Sequence, residues 1–424
     1  LISRTKALLF LVISLSLSAD AEASAQARQR QTGARRTVEA DRFPGSELGA
    51  KINAADRALG ATAGEIVARG GGRIGTQIVI SEGHTLRLMP GLYAPDTVEI
   101  PLVLKPGASV IGSGWDKTVL LESTARGQFT VISAYNQSRR NGDADSNLSV
   151  RDIQIRGANA GFSSAPQAVS LGNCANCVVD RVWINSTRSI GIQLGGSGVF
   201  GNFASNSRVT NCYFTHVASQ NLALVNGRDI IFENNLFESP GQEGGPGSTI
   251  IDLEPNDVND RIENVIIRNN LLDARANPIQ AGSGIVIQAG SVKRFGPVLV
   301  EGNTIYGGRN TGPAVTNSLS NGIYAFGASM RGVTIRNNNV TRTGQCGLRI
   351  EGSGFIVTGN QFTDVGGGGI PGFWMADVTD SRIEGNSFRY TGNGPADESV
   401  NIVGIFKNNI VRNNHGMGFP PNIH

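Results

Sequence analysis

The chain has 424 residues, 56 of them Gly and only 17% charged; this is the composition of a turn-rich β protein, because frequent turns need the positive φ that glycine reaches without strain. Its formal charge of +3 is close to balance, which excludes the basic footprint of a nucleic-acid binder but leaves room for a local basic patch. One elongated domain is expected rather than several.

Residues 1–27 read as a secretory signal, with Arg4 and Lys6 as a basic start, an apolar run from Ala7 to Ser18, and a small-residue cleavage site at Ala23-Ser-Ala25 or Ala25-Gln-Ala27. A secreted or periplasmic protein is therefore expected. The apolar run is too short to span a bilayer and no later stretch approaches that length, so no membrane span is expected. Residues 28–42 read as a basic tether, and residues 43–424 as the folded domain. An amphipathic helix is predicted from Phe43 to Leu59, N-capped by Ser46, with Leu48, Ile52, Ala55 and Leu59 on one face. Ser123 to Asn147 collects Arg126, Arg139, Arg140, Asp143 and Asp145 in a polar stretch that suggests a long loop. Cys174-Ala-Asn-Cys177 could close a disulfide around a turn. Cys212 reads as a small core residue.

Beyond residue 200 one short pattern recurs: apolar, variable, Asn/Gly, Asn, variable, apolar. Its copies are Val209–Phe214, Phe232–Phe237, Ile267–Leu272, Val300–Ile305, Ile335–Val340, Val357–Phe362, Ile383–Phe388 and Phe406–Val411, with weaker ones at Val150–Ile155 and Val179–Ile184. The fourth positions are Cys212, Asn235, Asn270, Asn303, Asn338, Asn360, Asn386 and Asn409, at steps of 22 to 35 residues. Such a period means a solenoid, and steps this uneven exclude a leucine-rich horseshoe. Each copy is too short and too β-branched for a helix, and its Asn pair suits a left-handed turn. Stacked strands would place each inward Asn over the next, forming a buried ladder whose polar groups satisfy one another. A second strand recurs between copies, at Ser189–Gly195, Asn221–Val225, Thr249–Glu254, Gly284–Gln288, Gly322–Phe326, Gly347–Glu351 and Gly372–Ala376.

In these repeats the chain resembles the right-handed parallel β-helix of the pectate lyase superfamily, over roughly residues 40–415. The resemblance implies an all-β solenoid of about ten or more coils with an N-terminal capping helix, Gly64–Gly72, Met89–Tyr93 and Leu104–Gly107 belonging to its first coils. A cap is physically required, since the first coil would otherwise present an unpaired edge.

Alternation along the second strand puts outward residues in two columns. One is Gln193, Ala223, Asp252, Val286, Tyr324, Arg349, Trp374; the other is Gly195, Val225, Glu254, Gln288, Phe326, Glu351, Ala376. Acids, an arginine and aromatic rings on one shelf suit an extended carbohydrate, with Gln288, Tyr324, Phe326, Glu351 and Trp374 as binding residues. Asp252 and Glu254, two apart on a strand, have three readings. They could be acid and base of an inverting glycosidase, ligands of Ca²⁺ together with Asp257 or Asp260, or a solvated strand end before a Pro255-Asn256 turn. Arg349 is the third candidate catalytic residue. The superfamily's lyases use an Arg or Lys as the base that removes the proton α to a uronate carboxyl, with calcium acidifying that proton; the competing role for Arg349 is an ion pair with Glu351. Lys293, Arg294, Arg331 and His216 are further groups that could border the groove. Arg181–Ser186 is similar to the lyase stretch Trp-Ile-Asp-His, but Asn185 and Ser186 stand where the acid and imidazole would be. The polygalacturonase signatures and the Asp-Pro-His of alginate epimerases are absent. The expected partner is thus a polysaccharide, uronate-containing ones included, attacked by lyase or hydrolase chemistry; the alternative is a noncatalytic glycan-binding or cell-surface scaffold.

Overall fold

The computed structural model describes residues 36–96, 98–122, 130–136, 144–157, 167–196, 202–239, 249–275, 282–308, 319–367, 369–392 and 400–416. The expected signal segment, 1–27, and Arg126, Arg139, Arg140 and Asp143 lie outside them.

The recurring pattern turns the chain at one corner of every coil. Its third residue is left-handed in each copy: Asn211, Asn234, Asn269, Gly302, Asn337, Gly359 and Gly385 have φ between 54° and 66°. Gly and Asn reach that region at least cost. The turn swings the fourth residue inward, and Asn235, Asn270, Asn303, Asn338, Asn360 and Asn386 are all buried. From Asn270 onward each amide oxygen accepts twice from the rung below; Asn303 Oδ1 takes the backbone N–H of Asn270 at 3.0 Å and its Nδ2 at 2.9 Å. Asn303 Nδ2 in turn donates to the Ile267 carbonyl at 3.0 Å. Cys212 opens the row, its N–H donating to Asn235 Oδ1 at 2.9 Å.

The row ends on Asn414 rather than Asn409, since Asn386 donates its N–H and Nδ2 to Asn414 Oδ1 at 3.0 and 2.9 Å. Phe406–Val411 lies one corner earlier in its coil: Val400–Lys407 pairs with Phe373–Thr379 and Ile410–Arg412 with Arg382–Glu384. Asn409 therefore accepts from the Ser381 N–H, at 3.0 Å. Both corners of the last coil use an Asn-Asn turn, with Asn408 and Asn413 left-handed, so the two copies look alike in sequence.

Strands of successive coils pair in parallel into two long sheets. One holds twelve strands, one per coil, in unbroken chain order from Ile78–Ile80 to Val400–Lys407. The other holds 27 short strands, two or more per coil. Ile251, Leu253, Ile285, Ile287, Ile323, Ala325, Leu348 and Ile350 point inward from the twelve-stranded sheet and are fully buried. Coil length varies chiefly at the corner ahead of this sheet: six residues separate Thr215 from Leu222, twelve separate Glu238 from Ile251, and fourteen separate Tyr306 from Asn321.

At the N-terminal end the helix Leu48–Leu59 covers the first coil with Leu48, Ile52, Ala55 and Leu59 buried. Its N-cap is Glu47, not Ser46. The longer side chain accepts from Gly49 and Ala50 N–H at 2.7 and 2.6 Å and also from Gly75 N–H at 2.7 Å, tying helix to coil, a reach that serine lacks. Asp56 adds a buried link, to His84 Nδ1 at 2.8 Å and the Ser81 N–H at 3.0 Å. Residues 36–42, expected in a tether, are already part of the fold: Arg36–Glu39 pairs with Gly64–Ala68 and Ala40–Arg42 forms a 3-10 turn. Within the stretch expected as a long loop, Thr130–Ala134 is a strand of the twelve-stranded sheet, and Asp145 is buried, accepting from Asn136 Nδ2 at 3.0 Å.

Cys174 and Cys177 are free thiols, both buried. The Cys177 Sγ turns to the Asp145 carbonyl at 3.6 Å, and Cys174 faces Ser207 Oγ at 3.7 Å. Its hydrogen bond with Cys177 and its burial hold the Cys174 thiol well above the usual range. Burial, with the charge of Asp180 adding to it, pushes Cys212 up to about 12, as suits an inert core residue. No helix among the described residues is long and apolar enough to cross a membrane.

Candidate functional site

Pairing along the twelve-stranded sheet assembles the first column residue by residue. Gln193 stands beside Ala223, Ala223 beside Asp252, Asp252 beside Val286, Val286 beside Tyr324, Tyr324 beside Arg349 and Arg349 beside Trp374. In the second column Gln288 pairs with Phe326 and Glu351 with Ala376. Glu254 continues its strand, its N–H bound to the Leu224 carbonyl at 2.9 Å.

Asp252 sits between the apolar side chains of Ala223 and Val286 and is only 4% exposed. Its Oδ1 has no hydrogen-bond partner among the described residues. Burial, and next the charge of Glu254, raise its pKa to about 7, with the amides of Gln288 and Gln220 pulling it partly back. Burial also raises Glu254, which is half-buried and accepts from Gln220 Nε2 at 3.2 Å. Two carboxyls, one holding its proton near neutrality, can give and take a proton.

Three strands along from Asp252, Arg349 donates Nε to Glu351 Oε1 at 2.8 Å, and its terminal nitrogen approaches the same oxygen at 2.6 Å. Its guanidinium lies over Tyr324 at 4.7 Å and over Trp374 at 5.2 Å. Tyr324 donates its hydroxyl to Glu351 Oε1 at 3.1 Å and stacks on Phe326 with centroids 4.3 Å apart. Arg349 is thus fixed as the centre of an aromatic and carboxylate cluster. This contact is the ion pair with Glu351 that competes, in the sequence, with a role as catalytic base.

Asp257 does not join the pair. Its carboxylate accepts from the N–H and Nδ2 of Asn259 at 2.8 and 2.9 Å, closing a local turn, while Asp260 accepts from the N–H groups of Asn256 and Asp257. Among the described residues no three His, Cys, Asp or Glu side chains converge to hold a metal ion; the expected calcium trio is not assembled. His216 is exposed at a left-handed position, φ 53°, with its N–H bound to Ser239. Gln220 is the residue the sequence reading missed. It lies on the turn before Leu222–Leu224, and only the fold brings it against the acid pair.

Residues 141–321 match the model of a right-handed β-helix region. No curated protein matches the chain by sequence. Among solved structures it is similar to the A-module of mannuronan C-5 epimerase AlgE6 of Azotobacter vinelandii, at 16% identity and TM-score 0.59 over 90% of this chain and 99% of that one. The tailspike protein of E. coli bacteriophage HK620, solved with a hexasaccharide, follows at 15% identity and TM-score 0.58 over 88% of this chain and 64% of that one. A family 28 exopolygalacturonase of Yersinia enterocolitica gives 12% identity and TM-score 0.60 over 91% of this chain and 79% of that one. At such identities the likeness is one of fold, and the region match fixes its hand. The chain has the fold of a right-handed parallel β-helix.

Proposed function

We propose that this is an exported protein that binds a polysaccharide along the twelve-stranded sheet and hydrolyses it with Asp252 and Glu254. The observation that carries the reading is the acid pair, Asp252 raised to about 7 beside a second raised carboxyl on the same face as the aromatic cluster. Residues two apart on a strand have Cα atoms about 7 Å apart, compatible with the roughly 6.5–9.5 Å between carboxyls in inverting glycosidases. In this reading Asp252 protonates the leaving oxygen and Glu254 takes the proton of the attacking water. Tyr324, Phe326 and Trp374 offer ring faces to sugars, and Gln288 and Glu351 their hydrogen-bonding groups. Engagement of Arg349 with Glu351 favours hydrolysis over arginine-based elimination. That the neighbours in fold include an epimerase, an exopolygalacturonase and a tailspike bound to a hexasaccharide supports a glycan as the partner class. The test is incubation of the full chain with a glycan panel: new reducing ends without ultraviolet-absorbing products are expected, and Asp252→Asn should abolish them. Unsaturated products would mean elimination, and binding with no new ends would mean a noncatalytic scaffold.

A further inference from the structure

Resting on that reading, the charge balance of the shelf names the class of sugar. From Gln193 to Trp374 the two columns hold three carboxyls, Asp252, Glu254 and Glu351, and one cation, Arg349, which is already bonded to Glu351 at 2.6 Å. Among the described residues the other cations nearby stand off the two columns. Arg188, ahead of the sheet, is bound to Glu122 at 2.9 Å. Lys293 and Arg331 lie on turns beyond the strand ends, where an Arg331 nitrogen donates to the Lys293 carbonyl, and Arg294 already belongs to the 27-stranded sheet. What the columns and their rim offer instead is amides: Gln167 donates to Gln193 Oε1 at 2.6 Å, Gln193 to the Gly195 carbonyl at 3.1 Å, Gln220 to Glu254, and Gln288 stands beside Phe326. Amides and carboxylates match hydroxyl groups, whereas a sugar carboxylate laid on the columns would meet negative charge and, among the described residues of the two columns, no cation but the paired Arg349.

We infer that the shelf takes a neutral, hydroxyl-rich hexose polymer and rejects hexuronates. Rejection then comes chiefly from the Glu254 carboxylate, and Glu351 contributes by neutralising Arg349.

The full chain should be titrated calorimetrically with hexose oligosaccharides and with hexuronate oligosaccharides of equal length. Hexoses are expected to bind at least about tenfold more tightly, with little dependence on salt, because no ion pair to substrate forms. Glu351→Gln frees the Arg349 charge and should raise hexuronate affinity roughly tenfold in a salt-sensitive way, since one unit charge within several ångströms is worth that much at a protein surface. Circular dichroism of that variant checks folding, and the wild-type comparison stands without it. Hexuronates binding as well as hexoses would overturn the inference while leaving the carbohydrate reading intact. If neither class binds, the carbohydrate reading itself falls, and this inference with it.

Discussion

In the proposed hydrolysis the acid chemistry rests on one carboxyl group, that of Asp252. Unfolded, an Asp titrates near 3.9; in the fold Asp252 titrates near 7. Between those values the native state binds more protons than the unfolded one, so stability is fully present below about pH 4 and declines as pH rises to about 7. Asp252→Asn cannot ionise, so its Tm should exceed that of the wild type at pH 8 by about 2 °C or more, with no difference at pH 4, while turnover disappears. Thermal scans at the two pH values check the sign; a variant less stable at pH 8 would show that the carboxylate is a structural partner. The same carboxyl predicts an acid limb, set by Glu254, and an alkaline limb near pH 7 in the pH profile of hydrolysis, the latter absent from any residual activity of Asp252→Asn.

The strands were legible in the sequence wherever one feature repeated. All seven members of the first column, Gln193 to Trp374, pair as the alternation required, because a side-chain period of two leaves no freedom once one face is apolar. Where two corners use the same turn, as at Asn409 and Asn414, pattern alone misplaces a rung. Asp257 was grouped with the acids because composition is visible in sequence, while the Asx turn that engages it depends on loop geometry. Whether Cys174 and Cys177 bridge was equally hidden, since it turns on the direction of each thiol. At this scale the ladder gives a graded prediction. Asn303→Ala removes the acceptor of Asn270 N–H and Nδ2 and the donor to the Ile267 carbonyl; two or three buried groups at about 1–3 kcal/mol each make a loss of about 3–5 kcal/mol. Asn414→Ala, at the partly buried end of the row, should cost less than half as much by urea titration.

At the scale of the whole molecule the two ends differ. The first coil is covered by Leu48–Leu59 and locked through Asp56 and His84, whereas the last described coil leaves Ile402, Val403, Ile405 and Ile410 more than a third exposed. Because each coil leans only on its neighbours, Asp56→Ala, which orphans a buried imidazole, should cost about 2–4 kcal/mol and open the structure from its N-terminal end, visible as early hydrogen exchange of Arg36–Ala68. The ladder corner spans two residues, Asn-Cys, Asn-Asn or Gly-Asn, from Asn211 to Asn386, whereas the corner ahead of the twelve-stranded sheet runs from three residues, between Ile74 and Ile78, to fourteen. The entropic cost of closing a longer loop grows slowly, about 0.6 kcal/mol per doubling, so four residues added between Glu238 and Ile251 should leave the melting curve nearly unmoved, while one residue added between Asn234 and Asn235 should prevent folding. Descent with modification can therefore lengthen, shorten or exchange the segments bordering the acid pair and aromatic cluster, altering which sugar polymer is admitted, without displacing a single asparagine of the column that keeps the coils in step.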